Sequence, residues 1–160
     1  MGDAECHALK DGFTWYEKLI VRSAFGAICC IGAVAIYLQS GLAAAGYLLF
    51  VAAGALLVVY DCLCVYCPYP FERSDCLFFP HQFLSSITEM RRGKISWLRK
   101  LLLVVVFGGV VAIPQYALWG NWSLFAAFWA LAVPVGVVMP LHFCPRCRHL
   151  RCPANLAGGR

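Results

Sequence analysis

Charged side chains are scarce in this sequence. Lys, Arg, Asp and Glu make up 13% of its 160 residues, roughly half the share of about 25% that is typical of soluble domains. Hydrophobic residues make up 62%. This balance argues against a soluble domain and predicts an integral membrane protein.

Catalytic patterns are missing as well. The sequence has no Gly-rich phosphate-binding loop, no pair of carboxylates at a useful spacing and no Ser-His-Asp set. Nucleotide-dependent and hydrolytic enzymes need such groups. We therefore predict no catalytic residue and expect a scaffold or a subunit of a membrane complex rather than an enzyme.

Four apolar runs are long enough to cross a membrane. A hydrocarbon core of about 30 Å is crossed by roughly 20 helical residues. We therefore predict an all-α membrane protein, a bundle of four transmembrane helices with a small Cys-rich cap. The predicted spans are Leu19 to Leu38, Leu42 to Tyr60, Leu101 to Trp119 and Trp122 to Leu141.

The distribution of charge predicts the orientation. Four spans place both termini and the middle loop on one side, and all 13 Lys and Arg residues belong to that side. Arg22 lies within the first span but near that end, where a long side chain can reach the interface. The positive-inside rule makes this side cytosolic, and we expect the inner membrane of a bacterium or archaeon. The net charge of +5 then favours anionic lipid over nucleic acid as a partner.

The chain divides into five segments in this interpretation. The middle loop is too long for a simple connection, and we expect it to contain a helix from about Pro80 that lies in the headgroup layer. The segments are a cytosolic lead (1–18), a first helix pair (19–60), a Cys-rich cytosolic loop (61–100), a second helix pair (101–141) and a Cys-rich cytosolic tail (142–160).

Cysteines follow directly on both helix pairs. A shift of 80 positions superposes Cys64 on Cys144 and Cys67 on Cys147, and it carries one helix pair onto the other. The chain therefore reads as an internal repeat, each copy being a helix pair followed by Cys-x-x-Cys. Parallel repeats of this kind are related by an axis along the membrane normal, so we expect the two clusters to meet.

These cysteines indicate a metal site. In a reducing cytosol, such spacings are typical of metal ligands or reactive thiols rather than disulfides. Two Cys-x-x-Cys pairs supply the four thiolates of a closed tetrahedral zinc site. Residues 143–147, Phe-Cys-Pro-Arg-Cys, resemble a zinc-ribbon knuckle, and residues 64–67 resemble a second one. The predicted ligands of a structural zinc are Cys64, Cys67, Cys144 and Cys147.

Other ligand sets remain open. Cys76 and Cys152 give each half a third cysteine, so two separate sites are an alternative to one shared site. Their remaining ligands would come from His81, His142 or His149. Cys152-Pro153 is similar to the Cys-Pro that ends a bacterial ferredoxin motif, and this resemblance implies an iron–sulfur cluster in an electron-transfer subunit.

Two further alternatives assign a function to the cysteine thiols without a resident metal ion. Cys29 and Cys30 in the first span resemble the cysteine pair of bacterial mercuric-ion transport membrane proteins, which implies soft-metal transport through a cysteine relay. Adjacent helical residues point about 100° apart, so we expect one of the two to face lipid or a different neighbour. Four-helix membrane oxidoreductases with Cys-x-x-Cys are also similar, but they act on the oxidising face.

The spans also contain packing signals. Pro114 and Pro134 should kink the third and fourth spans. Asp61, at the end of the second span, should pair with a nearby Arg. Small residues let helices approach closely in lipid, and the glycines placed for such packing include Gly26, Gly32, Gly46, Gly54, Gly108 and Gly109.

Overall fold

The computed structural model describes residues 13–62, 64–66, 96–139 and 141. All regular structure in these residues is helical, which confirms the all-α prediction. The surface helix expected near Pro80 and the Cys-rich tail lie outside the described residues. The helices are α1 (Trp15–Tyr37), α2 (Gly41–Ala53), a π-helical segment (Gly54–Val59), α3 (Tyr60–Cys62), a 3₁₀ turn (Cys64–Tyr66), α4 (Trp97–Ala112), α5 (Gln115–Leu118) and α6 (Trp122–Val138).

Three helical stretches are long and apolar enough to cross a membrane, and they are Trp15–Tyr37, Gly41–Tyr66 and Trp97–Leu118. Their length and composition fit the prediction of a helical membrane protein. The fourth predicted span is present as an apolar helix of 17 residues, α6, which is about 26 Å long at 1.5 Å per residue. A bundle of four spanning helices remains a prediction.

A capping box sets the start of α1. The Thr14 hydroxyl accepts a hydrogen bond from the Glu17 N–H, and the Glu17 carboxylate accepts one from the Thr14 N–H at 2.9 Å. This reciprocal pair satisfies two of the backbone donors that a helix start leaves open. The helix therefore begins at Trp15, ahead of the predicted span start at Leu19.

The turns of the two helix pairs are built alike. Ser40 caps α2 and accepts a hydrogen bond from the Ala43 N–H at 3.4 Å, while Asn121 caps α6 and accepts one from the Leu124 N–H at 3.3 Å. Each cap uses a side-chain oxygen and the N–H three residues further on. The two caps lie 81 positions apart in the sequence, one more than the offset of the cysteine pairs.

The two turns also lie side by side. Gln39 Nε2 of the first turn donates to the Ala117 carbonyl oxygen just before the second turn, at 3.5 Å. We call this part of the molecule the turn end. Both α2 and α6 lead away from it, so the 3₁₀ turn and Leu141 lie at the opposite end, which we call the cysteine end.

A core shared by both helix pairs occupies the turn end. Helix α1 packs against α2, α5 and α6. The side chains of Ile36, Leu118 and Phe128 are at most 1% exposed there. The other buried members of this core are Ile28, Ala33, Ala35, Ala44, Tyr47 and Ala117.

Pro114 divides the third predicted span into α4 and α5. Proline has no N–H, so the Val110 carbonyl lacks the donor that residue 114 would otherwise provide. The Tyr47 hydroxyl donates to this carbonyl oxygen from α2 at 3.1 Å. The helix is therefore interrupted at the proline where a kink was predicted, and a side chain of the other helix pair compensates for the missing donor. Pro134 lies inside α6 without ending it.

Gln115, directly after the break, connects two helices. Its Nε2 donates to the Val111 carbonyl oxygen at 2.8 Å, and its Oε1 accepts from Trp129 Nε1 of α6 at 3.2 Å. Backbone and indole groups need such partners because lipid offers none.

Three of the six glycines named above lie at close helix contacts. An added Cβ would stand 2.7 Å from the Val106 side chain at Gly54, and 2.6 Å from the Phe50 ring at Gly109. Gly32 is similarly close to Tyr47, at 2.9 Å. In the described part of the chain, a Cβ would meet nothing within 4 Å at Gly26, Gly46 or Gly108.

Candidate functional site

Cys64 begins the 3₁₀ turn at the cysteine end. Its side chain is buried, as is that of Cys62 two residues earlier. Both belong to a small hydrophobic cluster with Val59 of the π-helical segment and with Leu103 and Val106 of α4. The first cysteine of the first Cys-x-x-Cys pair is therefore held against the third span rather than directed into open space.

An ion pair ties this cysteine turn to α4. Arg99 Nε lies 3.1 Å from Asp61 Oδ2, so the expected pairing of Asp61 with an Arg is confirmed. The Arg99 guanidinium also donates a hydrogen bond to the Tyr66 hydroxyl and lies 5.5 Å from the centroid of the Tyr66 ring. Asp61 and Tyr66 flank the two buried cysteines, so Arg99 fixes the segment that carries Cys64.

Arg99 and Tyr66 are functional candidates that sequence reasoning did not identify. The carboxylate of Asp61 predicts that an Arg lies nearby in space. In the sequence, however, Asp61 and its partner stand at opposite ends of the middle loop. No local spacing distinguishes Arg99 from the other basic residues of that loop. Only the packing of the second span against α4 selects it.

The structure describes one of the predicted metal ligands, Cys64. Within 13–62, 64–66, 96–139 and 141, no group of three or more His, Cys, Asp or Glu side chains could hold a metal ion. The shared site is therefore still a prediction. The other candidate ligands lie outside the described residues, and they are Cys67, Cys76, Cys144, Cys147, Cys152, His81, His142 and His149.

The two cysteines within α1 face different surroundings. Cys29 is buried and Cys30 is exposed, which confirms the expectation from their spacing along the helix. Soft-metal transport through this pair stays an untested alternative.

Comparison of the chain with protein-family models, with curated proteins and with solved structures finds no match. The function has to follow from the geometry and the donor chemistry of this chain.

Proposed function

We propose that the protein is an integral membrane scaffold whose cytosolic end is clamped by a structural zinc ion. Two related helix pairs form a bundle of four spanning helices. Cys64 and Cys67 from the first pair and Cys144 and Cys147 from the second hold the ion. The clamped cap presents a rigid surface to a partner subunit of a membrane complex.

The main support for this proposal is the path that the chain follows through the two helix pairs. Their turns adjoin at one end, linked by the Gln39 hydrogen bond. The chain then returns to the other end at Cys64 and at Leu141, three residues before Cys144. Such a course would bring sulfur ligands that are far apart in the sequence toward one end of the molecule.

Similar construction of the two pairs supports the repeat. Both turns use the same capping arrangement. A duplicated unit would give this arrangement in both halves, and it would give each half one Cys-x-x-Cys pair.

The small core at the cysteine end explains what a metal ion would contribute. The described cluster there joins the second span to α4, whereas the turn end joins both helix pairs. A structural zinc contributes about 10–16 kcal/mol of apparent binding free energy in small peptides. Such a cross-link would join the two helix pairs at the cysteine end, where the cluster seen among the described residues joins the second span to α4. Four thiolates around Zn²⁺ leave net negative charge, which the basic residues close to the cysteines in the sequence, Arg73, Arg146, Arg148 and Arg151, would offset.

Metal analysis of the purified protein tests the proposal. We expect stoichiometric zinc in the wild type and its loss in the Cys64→Ser, Cys144→Ser double variant, because each substitution removes one ligand from a different half. Cys30→Ser is the matched control, since this thiol is exposed on α1 and should leave the zinc content unchanged.

The result also separates the alternatives. Zinc without visible colour in anaerobically purified protein supports the structural role. Iron with a broad absorption in the blue would instead assign an iron–sulfur cluster to the same cysteines. Stoichiometric zinc retained by the double variant would reject the shared site.

A further inference from the structure

An apolar cleft of about 290 Å³ opens between α1, the second span and α4. Arg22 lines it, and every other lining residue is Gly, Ala, Val or Phe. Gly26 lies on the α1 wall, where an added Cβ would meet nothing within 4 Å in the described part of the chain. The missing side chain at Gly26 therefore leaves space in this cleft.

We propose that this cleft binds one acyl chain of an anionic phospholipid, with the lipid phosphate at Arg22. The cleft follows the second span from Val51 to Val59, a distance of about 12 Å at 1.5 Å per residue. Half of a hydrocarbon core of about 30 Å is about 15 Å. The length of the cleft thus matches the acyl region of one leaflet.

The position of Arg22 suits a phosphate at the mouth of the cleft. It lies in the second turn of α1, close to the helix end at Trp15. A long side chain at such a depth extends its charged group toward the headgroup layer. The planar guanidinium donates two parallel hydrogen bonds to phosphate oxygens, which a neutral side chain cannot replace.

The dimensions of the cleft favour an acyl chain over a helix of a partner. A helix with its side chains is about 10–12 Å across, so one turn of 5.4 Å occupies about 400–600 Å³. This exceeds the 290 Å³ of the cleft. The hydrocarbon lining of Phe25, Ala55, Val106 and neighbouring residues likewise provides no partner for a polar ligand below Arg22.

Lipid retention measured by native mass spectrometry tests this site. The protein is equilibrated with equal amounts of phosphatidylglycerol and phosphatidylcholine of identical acyl composition. We expect the wild type to retain phosphatidylglycerol preferentially. Gly26→Leu should lose the retained lipid, because its side chain fills the cleft. Gly136→Leu is the matched control, since this α6 glycine also has open space around it but does not line the cleft.

Arg22→Gln separates the headgroup from the acyl chain. This variant should keep bound lipid but lower the ratio of phosphatidylglycerol to phosphatidylcholine about tenfold, because both headgroups carry a phosphate but the choline cation offsets its charge, so that only Arg22 favours the net negative headgroup. Circular dichroism and monodispersity establish that each variant folds. If Gly26→Leu does not fold, wild-type protein is labelled with phosphatidylglycerol that carries a photoreactive acyl chain, and the label is expected on α1 and α4.

Several results would overturn the proposal. Equal lipid retention by Gly26→Leu and Gly136→Leu would show that the cleft is not the binding site. If the wild-type protein showed no preference for the anionic lipid, Arg22 would have no role in selecting the headgroup. Photolabel confined to α6 would place the lipid elsewhere, and a dimer lost only in Gly26→Leu would assign the cleft to a second copy of the chain.

Discussion

The turn end and the cysteine end of this molecule are held together by different means. At the turn end, α1 packs against helices of both pairs around a dry core that includes Phe128. At the cysteine end, the described contacts join the second span to α4 through a small cluster and the Asp61–Arg99 ion pair. Between them lies the cleft beside Gly26.

The difference concerns the kind of contact that joins the described residues at each end. Closely fitted apolar side chains stabilise helices in lipid through van der Waals contact, and most of the described ones lie at the turn end. A partly exposed ion pair contributes much less. The contrast agrees with the proposal that a metal ion secures the cysteine end, and it can be tested by substitutions at the two ends.

Phe128→Ala should have the largest effect. Its ring is fully buried in the turn-end core, and truncating such a side chain costs about 3–5 kcal/mol of unfolding free energy. Leu49→Ala is the control, because Leu49 is 71% exposed toward the lipid side of α2. Equilibrium unfolding in mixed micelles measures both. Equal losses for the two variants would contradict the assignment of the core to the turn end.

Tyr47→Phe should have an intermediate effect. The substitution removes the donor to the Val110 carbonyl, and hydrogen bonds between membrane helices contribute about 0.6–1.7 kcal/mol. Pro114→Ala restores a backbone N–H at position 114. A double-mutant cycle should therefore show a smaller loss for Tyr47→Phe in the Pro114→Ala background. Purely additive losses would show that Tyr47 does not compensate for the proline.

Asp61→Asn should have the smallest effect. Both side chains of the ion pair are partly exposed, 29% for one and 38% for the other, and such pairs contribute about 0.2–1 kcal/mol. We expect the loss to shrink as ionic strength rises, because salt screens exposed charges. The same mixed-micelle unfolding assay, repeated across salt concentrations, measures it. A loss as large as that of Phe128→Ala would show that the ion pair contributes as much to stability as the buried ring of the turn-end core.

Features that depend on neighbouring residues in the chain were predictable. Apolar length and composition identify three spanning helices and the apolar helix α6, since a helix satisfies its own backbone in lipid. Pro114 identifies the break after α4, because a missing N–H acts locally. The different directions of Cys29 and Cys30, about 100° apart, follow from helix geometry alone.

Features that depend on helix rotation were not predictable. Gly109 contacts Phe50, while Gly108 beside it has open space, although the two look equivalent in the sequence. Similarly, the sequence shows that Asp61 needs an Arg but does not select Arg99. Of the candidate metal site, the structure describes Cys64, so the convergence of the two Cys-x-x-Cys pairs remains a prediction for metal analysis to test.

The sequence by itself determined that this chain is helical, where its long apolar helices lie and which residues cap or interrupt them, because these properties arise within about one helical turn. The tertiary structure decided which face of each helix is buried, which Arg meets Asp61, and that the space beside Gly26 is an open cleft. These outcomes depend on how separate helices rotate against one another, and that is set by the fit of side chains far apart in the chain.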